Sequence, residues 1–422
     1  MERKVVITGI GAITPVGKNL KEIWSNLTNG ISGIKILEFE ENLKKFQEAI
    51  GIKAAGQIPD FSLAEYFAKK AHNMEKDMDR VTQLAMAAAK DAIESSGLDI
   101  LIKENKICPF SVGMFIGTGV GGISTSSNDI QTLLLHGHKK VGVRTVFRMM
   151  PNAAAGQIAI EFGLRGQAKS ISTACASGLE AILDAYNDIK AGVSEMIVAG
   201  GTEACVSPLA VASFSNMRAL SRRDVDPTKL SCPFSADRDG FVISEGAVIF
   251  ILEEMEAAKK RGAKIYAEII GGAATCDAYH ITAPHPQGEG ATNAMLKALK
   301  IAKLNPEDIS YIHAHGTSTQ LNDARETLAI KKAFGAHAYK LAISSTKSMT
   351  GHMVGAAGSM GTLVALQSLR EKILAPTINY ENPDPECDLD YVPNKAREMK
   401  DIKHTMINAL GFGGHNTVLI LK

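Results

Sequence analysis

The chain has no C-x-x-C pair, few aromatic residues and no long apolar run. Its six cysteines stand singly at positions 108, 175, 205, 232, 276 and 387 of 422 residues, which excludes a zinc knuckle and a thioredoxin-like motif. A chain of this size needs no disulfide framework, so the thiols read as reduced and the expected compartment is the cytoplasm. Aromatics make up 5% of the residues, too few for a nucleic-acid stacking platform. The formal net charge of +1 gives no overall pull towards nucleic acid or a membrane surface. No stretch approaches the ~20 apolar residues of a membrane span. Arg3-Lys4 before Val5-Val6-Ile7 imitates a signal peptide, but Thr8, Gly9 and Gly11 interrupt the run, which reads as a first strand.

What is present is ordinary globular material, 45% hydrophobic and 22% charged. The length suits two fused units, and alternating strand-like and helical segments make the class α/β. Residues 4–10 read as a buried strand, with Gly9-x-Gly11 and Thr14-Pro15 as a turn, and 19–28 as a short helix. Residues 33–75 read as a polar surface excursion. Asp79 to Ser96 has the apolar stripe of an amphipathic helix, with Gly97 placed to end it. Phe110–Ile116 reads as a strand entering Gly117-Thr118-Gly119-Val120-Gly121-Gly122, which matches G-x-G-x-x-G. A dinucleotide fold needs a second strand with an acidic residue ~20 positions on. Here 128–138 is helical or loop-like and Lys139-Lys140 follows, so the glycines read as close backbone packing beside a substrate pocket. The pattern divides the chain into 1–261 and 262–422. Both parts run strand, polar corner, helix, which suits an ancient structural duplication.

The centre of the chain is Ile171-Ser172-Thr173-Ala174-Cys175-Ala176-Ser177-Gly178-Leu179. A β-prone run ends at a cysteine, and Leu179, Ile182, Leu183, Tyr186 and Ile189 follow at helical spacing. Cys175 therefore sits at a helix N-terminus, where the partial positive charge favours a thiolate. A cysteine there is otherwise a small buried apolar residue. His315 stands at a strand end, His352 opens a glycine- and alanine-rich helix, and Phe412 lies in a glycine turn. Either histidine also fits a structural role, His313 faces the other side of its strand, and Lys347 fits a solvated surface. One cysteine with two histidines leaves zinc binding and acyl transfer open. Zinc wants a ligand spacing this chain does not show. Acyl transfer wants a thiolate and an oxyanion hole, for which the N–H groups of Cys175 and of the Phe412 turn are placed.

Six ordered motifs carry a resemblance over essentially the whole chain: Thr173–Gly178, Gly200-Gly201-Thr202-Glu203, Asp237-Arg238-Asp239-Gly240-Phe241-Val242, His315–Thr319, Ser345–His352 and Gly411-Phe412-Gly413-Gly414-His415-Asn416. They resemble the β-ketoacyl-acyl-carrier-protein synthases, the condensing enzymes of fatty-acid synthesis. The resemblance implies a thiolase fold of five α-β-α-β-α layers built from two related halves, and a homodimer. It implies that Cys175 takes the acyl group, that the N–H groups of Cys175 and Phe412 bind the oxyanion, and that His315 and His352 bind the malonyl thioester. Lys347 and Glu326 match a supporting pair, and Thr317 and Thr319 match the hydroxyls that hold the phosphopantetheine arm. Phe412 matches a gating residue and Val120 a wall of the acyl pocket, where isoleucine is the expected residue. The acidic acyl-carrier protein is the implied partner, with Lys139, Lys140, Arg218 and Lys76 as its basic surface. No metal or other cofactor is required. Cys-His-His separates the chain from the initiating members, which resemble Cys-His-Asn, and favours the elongating ones. Gln320 and His415 depart from a frequent proline and a threonine. A polyketide ketosynthase is the alternative with the same chemistry. A chain-length partner would lack the cysteine, and a degradative thiolase would carry a second one near the C-terminus.

Overall fold

The computed structural model describes residues 3–39, 46 and 49–422. Ten strands make its main sheet: β1 (Val5–Ile13), β2 (Val112–Gly117), β3 (Ala168–Ile171), β4 (Met196–Glu203), β5 (Gly246–Glu254), β6 (Ala267–Cys276), β7 (Tyr311–His313), β8 (Ala342–Ser344), β9 (Thr405–Gly411) and β10 (His415–Leu421). Their order across the sheet is β8-β7-β9-β10-β6-β1-β5-β4-β2-β3. β1 and β6 meet antiparallel at the middle, Val5 opposite Ile269. Outward from that seam the strands run first, fifth, fourth, second, third in chain order on both sides. The pairing senses agree as well: two antiparallel ladders next to the seam, then two parallel ones. The two sides of the sheet thus share one strand order and one set of pairing senses.

Side-chain alternation explains the layers. On β5, Val248, Phe250 and Leu252 join the central core, while Ala247, Ile249 and Ile251 join the core under the helix Arg80–Ser96. On β10, Leu419 and Leu421 face the centre, while Val418 and Ile420 face the core with the helices Glu289–Ala302 and Gln320–Phe334. The helices Ser177–Lys190 and Ala357–Glu371 fill the central layer. Outer helices, sheet, central helices, sheet and outer helices give the five layers of a thiolase fold. The central pair touches closely because its facing residues are small. A Cβ on Gly178 would lie 2.5 Å from Ser359 Oγ, and one on Gly358 2.6 Å from Leu179 Cβ. Each central helix follows a 3-10 turn whose first residue has positive φ, Ala174 at 51° and Val354 at 39°.

Three local expectations need correction. Gly9 and Gly11 lie inside β1, not in a turn. A Cβ on Gly11 would sit 2.0 Å from the Ala88 carbonyl oxygen, so the helix Arg80–Ser96 rests on bare backbone. That helix starts on the Asp79 cap and ends at Gly97 with φ of 72°, as its pattern predicts. Within 33–75, Leu37, Ile52, Ala54, Ala55, Ile58 and Leu63 are buried, and Lys35–Ile36 pairs with Ala54–Ala55. The excursion is therefore partly core, and its residues 40–45, 47 and 48 lie outside the described ones. His352 does not open a helix. It sits between the short helix Lys347–Thr350 and the Val354–Ala356 turn, held by its N–H to the Val242 carbonyl at 2.7 Å. Among the described residues no helix is long and apolar enough to cross a membrane.

Candidate active site

Cys175 occupies the corner between β3 and the helix Ser177–Lys190, as the pattern predicts. Its Sγ lies 3.1 Å from His352 Nε2. Burial works against the thiolate that the helix start favours. Burial pushes the Cys175 thiol up to about 12, against the opposing pull of the Lys347 charge and of the N–H groups of Phe412 and Cys175 itself. Burial also holds both histidines well below the usual imidazole range, and the nearby Lys347 charge adds to the effect. Both shifts favour a thiol beside a neutral imidazole over a thiolate–imidazolium pair. Carbamidomethylation of Cys175 by iodoacetamide should therefore climb steadily from pH 6 to pH 9. An acid-side plateau, the mark of a thiolate–imidazolium pair, would overturn that assignment.

The residues around His315 show how the second histidine is held. Glu326 is fully buried and accepts the N–H groups of His315 and Gly316, both at 2.8 Å, and the Asn408 amide at 3.1 Å. Lys347 Nζ donates to the His315 carbonyl oxygen. Lys347 is buried, not solvated, and burial pushes its ammonium down to about 8. The Glu326 charge acts against that fall, and the two side chains meet the same residue. They grip the His315 backbone from its two sides. His313 is buried, and its Nε2 lies 3.1 Å from Thr346 Oγ1, a structural contact.

The rings of His315 and His352 meet edge to face, centroids 5.4 Å apart. One donor atom from each of Cys175, His315 and His352 falls within 4.8 Å of the others. Such a set could ligate a soft metal. However, the ammonium of Lys347 acts on both rings, and a second cation there meets its repulsion.

A cavity of about 520 Å³ contains this cluster. Phe412, Val120, Thr317, Thr319 and Arg218 all line it. The hydroxyls of Thr317 and Thr319 are 2.9 Å apart. Between them Ser318 has φ of 69°, and its N–H is held by Asp323 at 3.2 Å. Buried Arg238 clamps the same turn, donating Nε to the Thr319 carbonyl and Nη2 to that of Gln320, both at 3.2 Å. That gives the Asp237–Val242 motif a physical purpose. Arg218 is exposed at the cavity mouth, whereas exposed Lys139, Lys140 and Lys76 are not on its wall. Lys139 and Lys140 lie on the turn His138–Lys140, and Lys76 on the helix Ala71–Asp77. Asp323, Asn408, Arg238 and Val354 were missed as site residues; of these only Arg238 lies in one of the six motifs, which gives it no role without the contacts.

The glycines of 117–122, read as close backbone packing beside a pocket, belong to this site too. A Cβ on Gly117 would lie 2.3 Å from the Ser177 carbonyl carbon, which is the backbone approach that brings β2 against the nucleophile turn.

Comparison with known proteins agrees with this geometry. The model of the β-ketoacyl synthase N-terminal domain matches residues 2–258, and that of the C-terminal domain matches 266–381. A 3-oxoacyl-[acyl-carrier-protein] synthase 2 of Synechocystis sp. is 44% identical, spanning 100% of this chain and 98% of that protein. One of Staphylococcus aureus is 42% identical, again over 100% and 98%. Among solved structures, a β-ketoacyl synthase of Burkholderia phymatum superposes with a TM-score of 0.90 at 34% identity, covering 100% of this chain and 99% of that one. A type II PKS ketosynthase, solved in complex with its acyl-carrier protein, gives 0.89 at 34% identity over 100% and 99%. With a buried thiol–imidazole pair, a second histidine and both family domains in one chain, the protein belongs to the β-ketoacyl synthase family.

Proposed function

We propose that this chain is a 3-oxoacyl-[acyl-carrier-protein] synthase that lengthens acyl chains by decarboxylative condensation with a malonyl thioester. The observation that carries the reading is the Cys175–His352 contact of 3.1 Å with His315 in the same cavity. Residues 1–261 supply the nucleophile and 262–422 the two histidines. As Cys175 Sγ attacks the thioester carbonyl, its proton passes to His352 and then to the departing pantetheine thiol. The N–H groups of Cys175 and Phe412 face the developing oxyanion. The malonyl thioester then enters, and its carbonyl oxygen accepts from the ring N–H of His315 and, once Nε2 has taken a proton from solvent, from that of His352. Loss of carbon dioxide leaves an enolate stabilised at that oxygen. Its carbon attacks the acyl-Cys175 carbonyl, and collapse releases the β-ketoacyl thioester and a thiolate that takes the proton back from His352. Glu326 and Lys347 keep His315 aimed, and no metal takes part.

The acyl groups travel on the 4'-phosphopantetheine arm of acyl-carrier protein, which Thr317 and Thr319 hold, with Val120 on the acyl wall. Lys139, Lys140, Arg218 and Lys76 form the basic docking surface. Reversing charge at Arg218 and Lys139 together should raise KM for acyl-carrier protein about tenfold, with a smaller change for a short thioester lacking the protein. Equal losses on both substrates would remove these residues from the interface. Six free cysteines fit a reducing cytoplasm. The chain acts as a homodimer. β3 is one of the two edge strands of the sheet, and Leu134, Leu135, Val143, Phe147 and Ile160 are exposed apolar side chains available to a second copy. Light scattering at the monomer mass would refute that.

The function is tested by incubating the protein first with acyl-acyl-carrier protein and then with the malonyl form. An acyl adduct should appear by intact mass and then discharge, with β-ketoacyl-carrier protein and carbon dioxide as products. Product analysis also separates the polyketide alternative, which the 34% identity to a type II PKS ketosynthase keeps in view.

A further inference from the structure

The motif Gly200-Gly201-Thr202-Glu203 has no part in the chemistry just described, yet it ends in a fully buried carboxylate at the tip of β4. Glu203 Oε1 accepts from Thr118 Oγ1 at 3.0 Å and from the Val120 N–H at 3.3 Å. Oε2 accepts from the N–H of Gly119 at 2.7 Å and from that of Gly355 at 3.0 Å. All four partners are donors, so the set matches a carboxylate and none of them needs a proton from it.

These donors come from two distant parts of the chain. Residues 118–120 follow β2 in the first half, and Gly355 belongs to the Val354–Ala356 turn in the second. Both glycines are required by the contact. A Cβ on Gly119 or on Gly355 would lie 2.8 Å from Oε2. Val354, held at φ of 39°, is a β-branched residue in a conformation such residues avoid, and the amide that follows it is one that Glu203 grips. Val120 and Val354 both line the cavity that contains Cys175. A Cβ placed on Gly119 would lie 3.0 Å from Val354 Cγ1, so the two segments are already at contact distance.

We propose that Glu203 is a positioning residue that fixes the gap between Val120 and Val354, and that this gap selects among acyl chains by length. The inference rests on the acyl-transfer reading above. A glutamine at 203 keeps the size but turns an NH2 group towards donors that need an acceptor, which opens the clamp. The slot then loses its defined width, and discrimination between chains differing by methylenes weakens.

The experiment uses the full-length protein carrying Glu203→Gln, and separately Thr118→Val, which removes one of the four bonds. Acyl-enzyme formation is timed by intact mass with carrier protein loaded with even-numbered chains from butanoyl to hexadecanoyl. Malonyl-carrier protein decarboxylation is measured alongside, because it does not use the acyl slot. In Glu203→Gln the ratio between the fastest and slowest chains should narrow by about fivefold or more, and in Thr118→Val by about twofold, with decarboxylation changed less than either ratio. Uniform slowing at every length, an unchanged ratio, or decarboxylation falling in step would overturn the proposal. If Glu203→Gln does not fold, Thr118→Val decides by the same criteria. A wild-type protein that takes up no acyl group would overturn the functional reading instead.

Discussion

Cys175→Ala should take up no acyl group from acyl-acyl-carrier protein, and condensation should fall by about 10⁴-fold or more. In the proposed mechanism the sulfur is the atom that becomes acylated, and the other cysteines are poorly placed to replace it. Cys205 is fully buried, and burial holds its thiol well above the usual range. Burial pushes Cys232 up to about 11 and Cys387 up to about 12. Cys108 and Cys276 are exposed, but neither lines the cavity. Malonyl decarboxylation should survive in the same variant, since His315 and His352 are intact. Intact-mass spectrometry reads the first outcome and release of labelled carbon dioxide the second. An adduct persisting on another cysteine would sink the assignment.

His315→Ala should lower malonyl decarboxylation by about 10²–10³-fold, the usual cost of one lost donor to a developing oxyanion. Acylation of Cys175 should continue in that variant. In the proposed mechanism the acceptor for the thiol proton is His352, at 3.1 Å, and the first oxyanion meets the N–H groups of Cys175 and Phe412. His352→Ala should lose both steps, because it touches the sulfur and shares the second carbonyl with His315. Single-turnover acylation and decarboxylation rates for the two variants give the comparison. If His315→Ala lost acylation as completely as His352→Ala, the division of labour between the rings would be wrong.

The structure brings Cys175, His315, His352 and Phe412 to one cavity, and all but His352 stand on the local feature their motifs predict: a strand end, a small-residue corner or a glycine turn. What they imply about charge is another matter. A helix start favours a thiolate, but both halves of the chain close over this one, and desolvation of the anion wins. That burial is a tertiary fact with no signature in residues 171–179. The same holds for Lys347, which reads as a surface lysine and lies buried against the His315 carbonyl. Gly9 and Gly11 read as a turn because a glycine pair inside a strand is explained only by the helix that rests on it. Glu203 and Arg238 stand inside recognisable motifs. Their partners lie 84 and 152 residues from Glu203 and 81 from Arg238, beyond the reach of any local pattern. The likeness of the two sides of the sheet lies in strand order and pairing sense, which no local residue pattern displays.

The single cavity has a kinetic consequence. Cys175 and the two histidines share it, and Arg218, Thr317 and Thr319 line it as well. Under the proposed function the acyl donor's carrier protein leaves before the malonyl donor's docks, and the expected result is a ping-pong order with parallel double-reciprocal plots. Free carrier protein competes at the same entrance for both visits. Flux through the enzyme then depends on the ratio of loaded to unloaded carrier as much as on the amount of either substrate.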